Sequence, residues 1–240
     1  IEDEQQQGPI MRASGLIESV VASQDGRWLA SGDRGWKATI WNAATHEKVR
    51  EFTEYSHCVL AVDISSDGTK IASTDWNHAR IFSITSGTRL LPPIQHDKVI
   101  GIKFSPDGSR FATASEIQGF RVYSTHNGDV LFDSGKNVST GSWSRTRLAW
   151  SPDGQQLFVA ERGKIICFDL SKSSSSAWSI HENQSLAYIA SNGRFIACAA
   201  GLLVSLWDCV SHEQIGSIIS HTAELKCIAL SPSGGYLACA

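Results

Sequence analysis

Apolar residues come in short alternating runs, and each pair of runs is joined by a small polar turn ending in glycine. Val20 and Ala22 precede Ser23-Gln24-Asp25-Gly26, and Leu29 and Ala30 follow it. The turn recurs as Ser65-Ser66-Asp67-Gly68, Ser105-Pro106-Asp107-Gly108, Ser151-Pro152-Asp153-Gly154, Ser191-Asn192-Gly193 and Ser231-Pro232-Ser233-Gly234. Successive turn glycines lie 42, 40, 46, 39 and 41 residues apart. Such a turn suits a tight hairpin, because Pro presets φ, Asp bonds the local backbone and Gly accepts positive φ.

The flanks keep step with the turns. Six residues before each glycine stand Val20, Val62, Ile102, Leu148, Ala187 and Ile228, and two residues later Ala22, Ile64, Phe104, Trp150, Ile189 and Leu230. A spacing of two puts both side chains on one face of a strand. After the glycine come Leu29, Ile71, Phe111, Leu157, Ile196 and Leu237, each followed by Ala except at Phe158. The alanines predict close packing of sheet on sheet. A third strand ends at an aromatic, Trp41, Phe82, Tyr123, Phe168 or Trp207, preceded by an apolar residue. A weaker fourth strand fits the remaining space, as at Lys48–Phe52 and Gln214–Ile219. Four short strands per repeat, with no helical period, describe a propeller blade.

Taken together these positions resemble the WD40-repeat family. The nearest match is Leu206-Trp207-Asp208, then His221, then Ser231-Pro232-Ser233-Gly234, with His57 and His96 near the equivalent histidine place. The resemblance implies an all-β fold, a β-propeller of four-stranded antiparallel blades with about five and a half repeats in an incomplete or open ring. Repeats are expected at 16–57, 58–97, 98–137, 138–183, 184–223 and, in part, 224–240, after an N-terminal extension over 1–15. The family often ties a blade with a His, Ser/Thr, Asp and Trp set, which looks incomplete here. Repeat one has Ser31 and Trp41 but Gly35 at the aspartate place, and repeat two has Ser73, Asp75 and Phe82. Pro9–Ala13 is the candidate outer closing strand. Repeat six stops before a third strand, so the chain is expected to be part of a longer array, with open edges that associate through repeats one and six.

Composition narrows the function classes. The chain has 240 residues, 42% of them hydrophobic and 19% charged, and a formal net charge of −3. That balance argues against broad binding to nucleic acid or an anionic membrane, and no apolar run approaches a membrane span. Six cysteines occur without a C-x-x-C pair. Cys167, Cys198, Cys227 and Cys239 sit in apolar runs and read as small buried hydrophobes, which favours a reducing, intracellular location.

No hydrolase elbow, zincin, phosphate-binding or dinucleotide motif is present in the sequence, and no histidine has metal-ligand spacing. No cofactor or metal is therefore expected. Asp63, in a first strand, is the one candidate for a channel-facing carboxylate. Lys103 holds the same place one repeat later, so a solvated strand position is the expectation.

Binding is better motivated, since loops on a rigid scaffold carry function. The resemblance puts the loops between strands two and three, and those entering strand one, on one face. They contain Trp36; Asp75, Trp76 and His78; Glu116; and Arg162. Trp36 and Trp76 lie outside the apolar strand slots, and exposed Trp and Arg are common interface anchors. The longest repeat adds a loop with Trp143, Arg145 and Arg147, suited to an acidic or phosphorylated peptide. Ser173–Ser176 is expected to be a turn. The leading reading is a scaffold that docks a peptide or partner domain, and replacing Trp76 and Arg145 by Ala is expected to weaken binding by about 2 kcal/mol or more. The rival is a hydrolase-like propeller enzyme with acidic residues at its channel.

Overall fold

The computed structural model describes residues 8–135, 148–161, 163–179, 187–231 and 233–239. Blade one comprises β1 (Ile17–Ala22), β2 (Trp28–Asp33), β3 (Ala38–Asn42) and β4 (Lys48–Phe52). Blade two comprises β5 (Ala61–Ile64), β6 (Lys70–Thr74), β7 (His78–Ser83) and β8 (Ile94–Gln95). Blade three comprises β9 (Val99–Phe104), β10 (Arg110–Ser115), β11 (Gly119–Ser124) and β12 (Val130–Asp133). Blade four comprises β13 (Leu148–Trp150), β14 (Gln156–Glu161), β15 (Lys164–Asp169) and β16 (Ser174–Ser179). Blade five comprises β17 (Ala187–Ser191), β18 (Phe195–Ala200), β19 (Leu203–Asp208) and β20 (Gln214–Ser220). A sixth sheet pairs β21 (Ile228–Leu230) with β22 (Leu237–Cys239). Every pairing is antiparallel between consecutive strands, and the first strands of successive blades pack against one another. The chain is an open, all-β propeller.

The polar turns are built as their residues require. Gly26 N–H donates to the Ser23 carbonyl at 3.0 Å, and Gly26 has φ 70°. Ser23 Oγ lies 2.5 Å from Asp25 Oδ1, which also accepts the Arg27 N–H. Ser65–Asp67, Ser105–Asp107 and Ser151–Asp153 repeat that bond at 2.5, 2.6 and 2.5 Å. These hydrogen bonds hold the four turn aspartates below the usual carboxylate range, with burial opposing at each.

The turn fixes the register. The residue three after each glycine pairs with the aromatic of the third strand: Leu29 with Trp41, Ile71 with Phe82, Phe111 with Tyr123, Leu157 with Phe168, and Ile196 with Trp207. The core is therefore divided into five slabs, one between each pair of successive blades. In each slab the leading face of one blade meets the trailing face of the blade before it. Between blades two and three, Ile102, Phe104, Phe111 and Tyr123 lie against Ala61, Ala72, Ala79 and Ile81. Alanines in the trailing face admit the bulky leading face, as the sequence pattern requires. The leading face of blade one is uncovered among the described residues. Its Val20 is 66% exposed, whereas Val62, Ile102 and Leu148 in the same slot are each 6% exposed.

Four expectations are corrected here. Pro9–Ala13 forms no strand; it runs along blade one, with the Pro9 carbonyl 3.0 Å from His46 Nδ1. Ser174–Ser176 begin β16 and pair with β15, because Ser173 turns the chain at φ 51° one residue earlier. Cys227 is exposed, since it precedes the short β21 and is outside the slabs, while Cys167 and Cys198 are buried as expected. Asp33, and not the residue at Gly35, is the buried aspartate at the end of strand two in blade one.

The family's hydrogen-bonded set survives in pieces. Trp41 Nε1 donates to Ser31 Oγ at 2.9 Å. In blade two Tyr55 takes the histidine's part, with its hydroxyl 2.7 Å from Ser73 Oγ. In blade three His96 Nδ1 lies 2.7 Å from Thr113 Oγ1.

Candidate functional site

Two equivalent turns, one in each of the first two blades, present the two tryptophans. In the β2–β3 turn, Asp33 is buried and accepts the Lys37 N–H at 3.1 Å through Oδ1 and the Ser14 N–H at 3.1 Å through Oδ2. That cap leaves Trp36 at the turn's tip, 53% exposed, with φ 64°. A bulky residue in the left-handed region is strained by about 1–3 kcal/mol. In the β6–β7 turn, Asp75 accepts the Asn77 and His78 N–H groups at 3.0 and 2.8 Å and pairs with Arg80 at 2.7 Å. Burial raises the Asp75 carboxyl, but the Asn77 bond and the Arg80 charge outweigh it and hold it below its usual range. Trp76 follows directly, and its carbonyl accepts the Val99 N–H at 3.2 Å.

The turns meet in a cleft of about 280 Å³ lined by Glu18, Arg34, Trp36, His57, Cys58, Leu60 and Trp76. Buried Leu60 is its apolar component, and exposed His57 comes from the chain entering β5. The Cys58 thiol donates to the Arg34 carbonyl at 3.8 Å. Arg34 Nε donates to Glu18 Oε1; the Arg34 side chain is 58% exposed and that of Glu18 only 5%.

Of the residues singled out from sequence, the cleft unites Trp36 with Trp76. Asp75 is fully buried and holds the turn behind Trp76, and His78 Nδ1 sits 3.7 Å from its carboxylate. Glu116 belongs to the β10–β11 turn of blade three, where its N–H donates to the Lys98 carbonyl at 3.0 Å. Trp143, Arg145, Arg147 and Arg162 lie outside the described residues. Sequence reading missed Glu18, which sits in a strand slot with no pattern to distinguish it, and gave His57 only the family's histidine place. The juxtaposition of Glu18 with Arg34 needs the β1–β2 register, in which Ile17 faces Asp33.

The channel-side candidate is also corrected. Asp63 is 2% exposed and not solvated: Lys103 Nζ lies 2.7 Å away and the Phe104 N–H donates to it at 2.8 Å. Packing of β5 beside β9 places Lys103 over it. Among the described residues no group of three or more His, Cys, Asp or Glu gathers to hold a metal ion, and no helix is long and apolar enough to cross a membrane.

Comparison with known proteins bears on the whole array. The WD domain, G-beta repeat (WD40) family matches residues 8–42 and 89–116. WD repeat-containing protein 1 of Gallus gallus is 23% identical over 237 residues, which cover 92% of this chain and 38% of that protein. These matches support a WD40-repeat family for the chain. The chain also resembles human Telomerase Cajal body protein 1, 25% identical over 246 residues, covering 91% of the chain and 44% of the relative. Human Apoptotic protease-activating factor 1 is 33% identical over 132 residues, half of the chain and 10% of the relative. The chain thus spans from a tenth to under half the length of these relatives.

Proposed function

We propose that this chain is a protein-interaction scaffold that docks a peptide or partner domain in the cleft between blades one and two. The observation that carries the reading is that Trp36 and Trp76, from equivalent turns of successive blades, line one cleft. A strained, half-exposed tryptophan is poor design for stability and good design for a contact, because a rigid aromatic ring gives large buried area at small entropic cost. The slabs beneath keep both turns in place, so the ligand meets a preformed surface.

Photocrosslinking tests it. A benzoylphenylalanine side chain at Trp36 of the full chain is expected to capture a defined partner segment, and the same group at Val130, exposed on the outer strand of blade three, is expected not to. Identical capture from both positions would remove the reading.

A further inference from the structure

The cleft also carries information about its ligand. Glu18 is paired, its side chain nearly covered, while Arg34 stands out into solvent. The pairing uses Arg34 Nε, so the two terminal nitrogens of the guanidinium have no acceptor among the described residues. A guanidinium fixed at one edge by a buried carboxylate is a preorganised fork for a second carboxylate, because the donors are planar and already oriented. The outward charge at the rim is thus positive, and beside it are the two tryptophans and Leu60.

Resting on the docking reading above, we infer that the ligand is an acidic peptide segment in which an aromatic or aliphatic side chain enters between Trp36 and Trp76 and a neighbouring Asp or Glu pairs with Arg34. The apolar side chain supplies area and the carboxylate supplies orientation. A lysine-rich segment meets the exposed guanidinium as a like charge and is rejected. Glu18 is a positioning residue: it holds Arg34 from a nearly covered place in the cleft wall.

The test is selection of random displayed dodecapeptides on the full chain, on Arg34→Gln in a Glu18→Gln background, and on Trp36→Ala/Trp76→Ala. The paired neutral change removes both charges of the Glu18–Arg34 pair at once. The native chain is expected to enrich peptides with an acidic residue beside an apolar one. The synthesised consensus peptide should bind the neutral pair variant about tenfold more weakly, and raised salt should reduce binding to the native chain alone. The tryptophan variant should enrich none of these sequences. If peptides are lost with the tryptophans but show no acidic bias, or if the bias survives the neutral pair, the ligand class is wrong and the cleft remains. If the same consensus is enriched without the tryptophans, or the native chain enriches nothing, the cleft itself is wrong. Thermal melts of all three proteins show whether each variant is folded.

Discussion

Lys103 Nζ lies 2.7 Å from Asp63 Oδ1, one repeat away in sequence and one blade away in space. The same carboxylate accepts the Phe104 N–H at 2.8 Å, so a single buried side chain clips β5 to β9. Because the lysine is partly exposed and the aspartate is not, removing the aspartate is the costlier change. Asp63→Ala leaves the Phe104 N–H without an acceptor and should destabilise the chain by about 1–3 kcal/mol. Asp63→Asn retains an acceptor and should lose less. Urea unfolding followed by circular dichroism measures both, and equal losses would mean that the clip contributes nothing through Phe104.

The slot occupied by Val20 and Ile102 gives a contrast within one repeat pattern. Ile102→Ala opens a void in the slab between blades two and three and should cost about 2–5 kcal/mol. Val20→Ala, on an exposed face, should stay within about 0.5 kcal/mol. Comparable losses in the unfolding midpoint would show that the leading face of blade one is covered in solution.

Acid should weaken the fold in two stages. Burial, with the Arg121 charge, lowers His96 to about 4 from its ordinary 6.5. Between those values the unfolded chain binds the proton that the folded chain refuses. The stability from neutral His96 is complete above about 6.5 and declines as pH falls toward about 4. The turn aspartates have folded values lowered from 3.8, so their contribution is present above that value and is lost at lower pH. The melting temperature should therefore fall between pH 7 and 4, and His96→Gln should flatten the upper part of that fall. A native curve already flat from pH 7 to 4 would contradict the burial of His96.

Trp36 offers a separation of stability from binding. Trp36→Gly relieves a left-handed backbone at an exposed position and should raise stability by about 1 kcal/mol, while weakening partner binding. A thermal melt and a binding titration on one sample decide it. Loss of stability would mean that the ring holds the turn together.

Much of this architecture is legible in the sequence because each blade repeats one local code. The serine-to-glycine turns, the alanine after each bulky residue and the strand-three aromatic fix register and core slot without knowledge of neighbours. Trp36 and Trp76 stood out because they break that code in polar loops. Glu18, Asp63 and the run at Ser174 were not legible for the opposite reason. Their environment depends on strands pairing or packing across 16 residues for Glu18 and Arg34 and 40 for Asp63 and Lys103, and on a turn at Ser173 that lacks glycine.

The central claim is that Trp36 and Trp76 together form a docking cleft. Titration calorimetry of the selected acidic peptide against the native chain, each single alanine variant and the double variant tests it most directly. The double variant should lose about 2 kcal/mol or more of binding free energy at unchanged fold, with each single variant losing a substantial part. Affinity unchanged in a folded double variant would contradict the account.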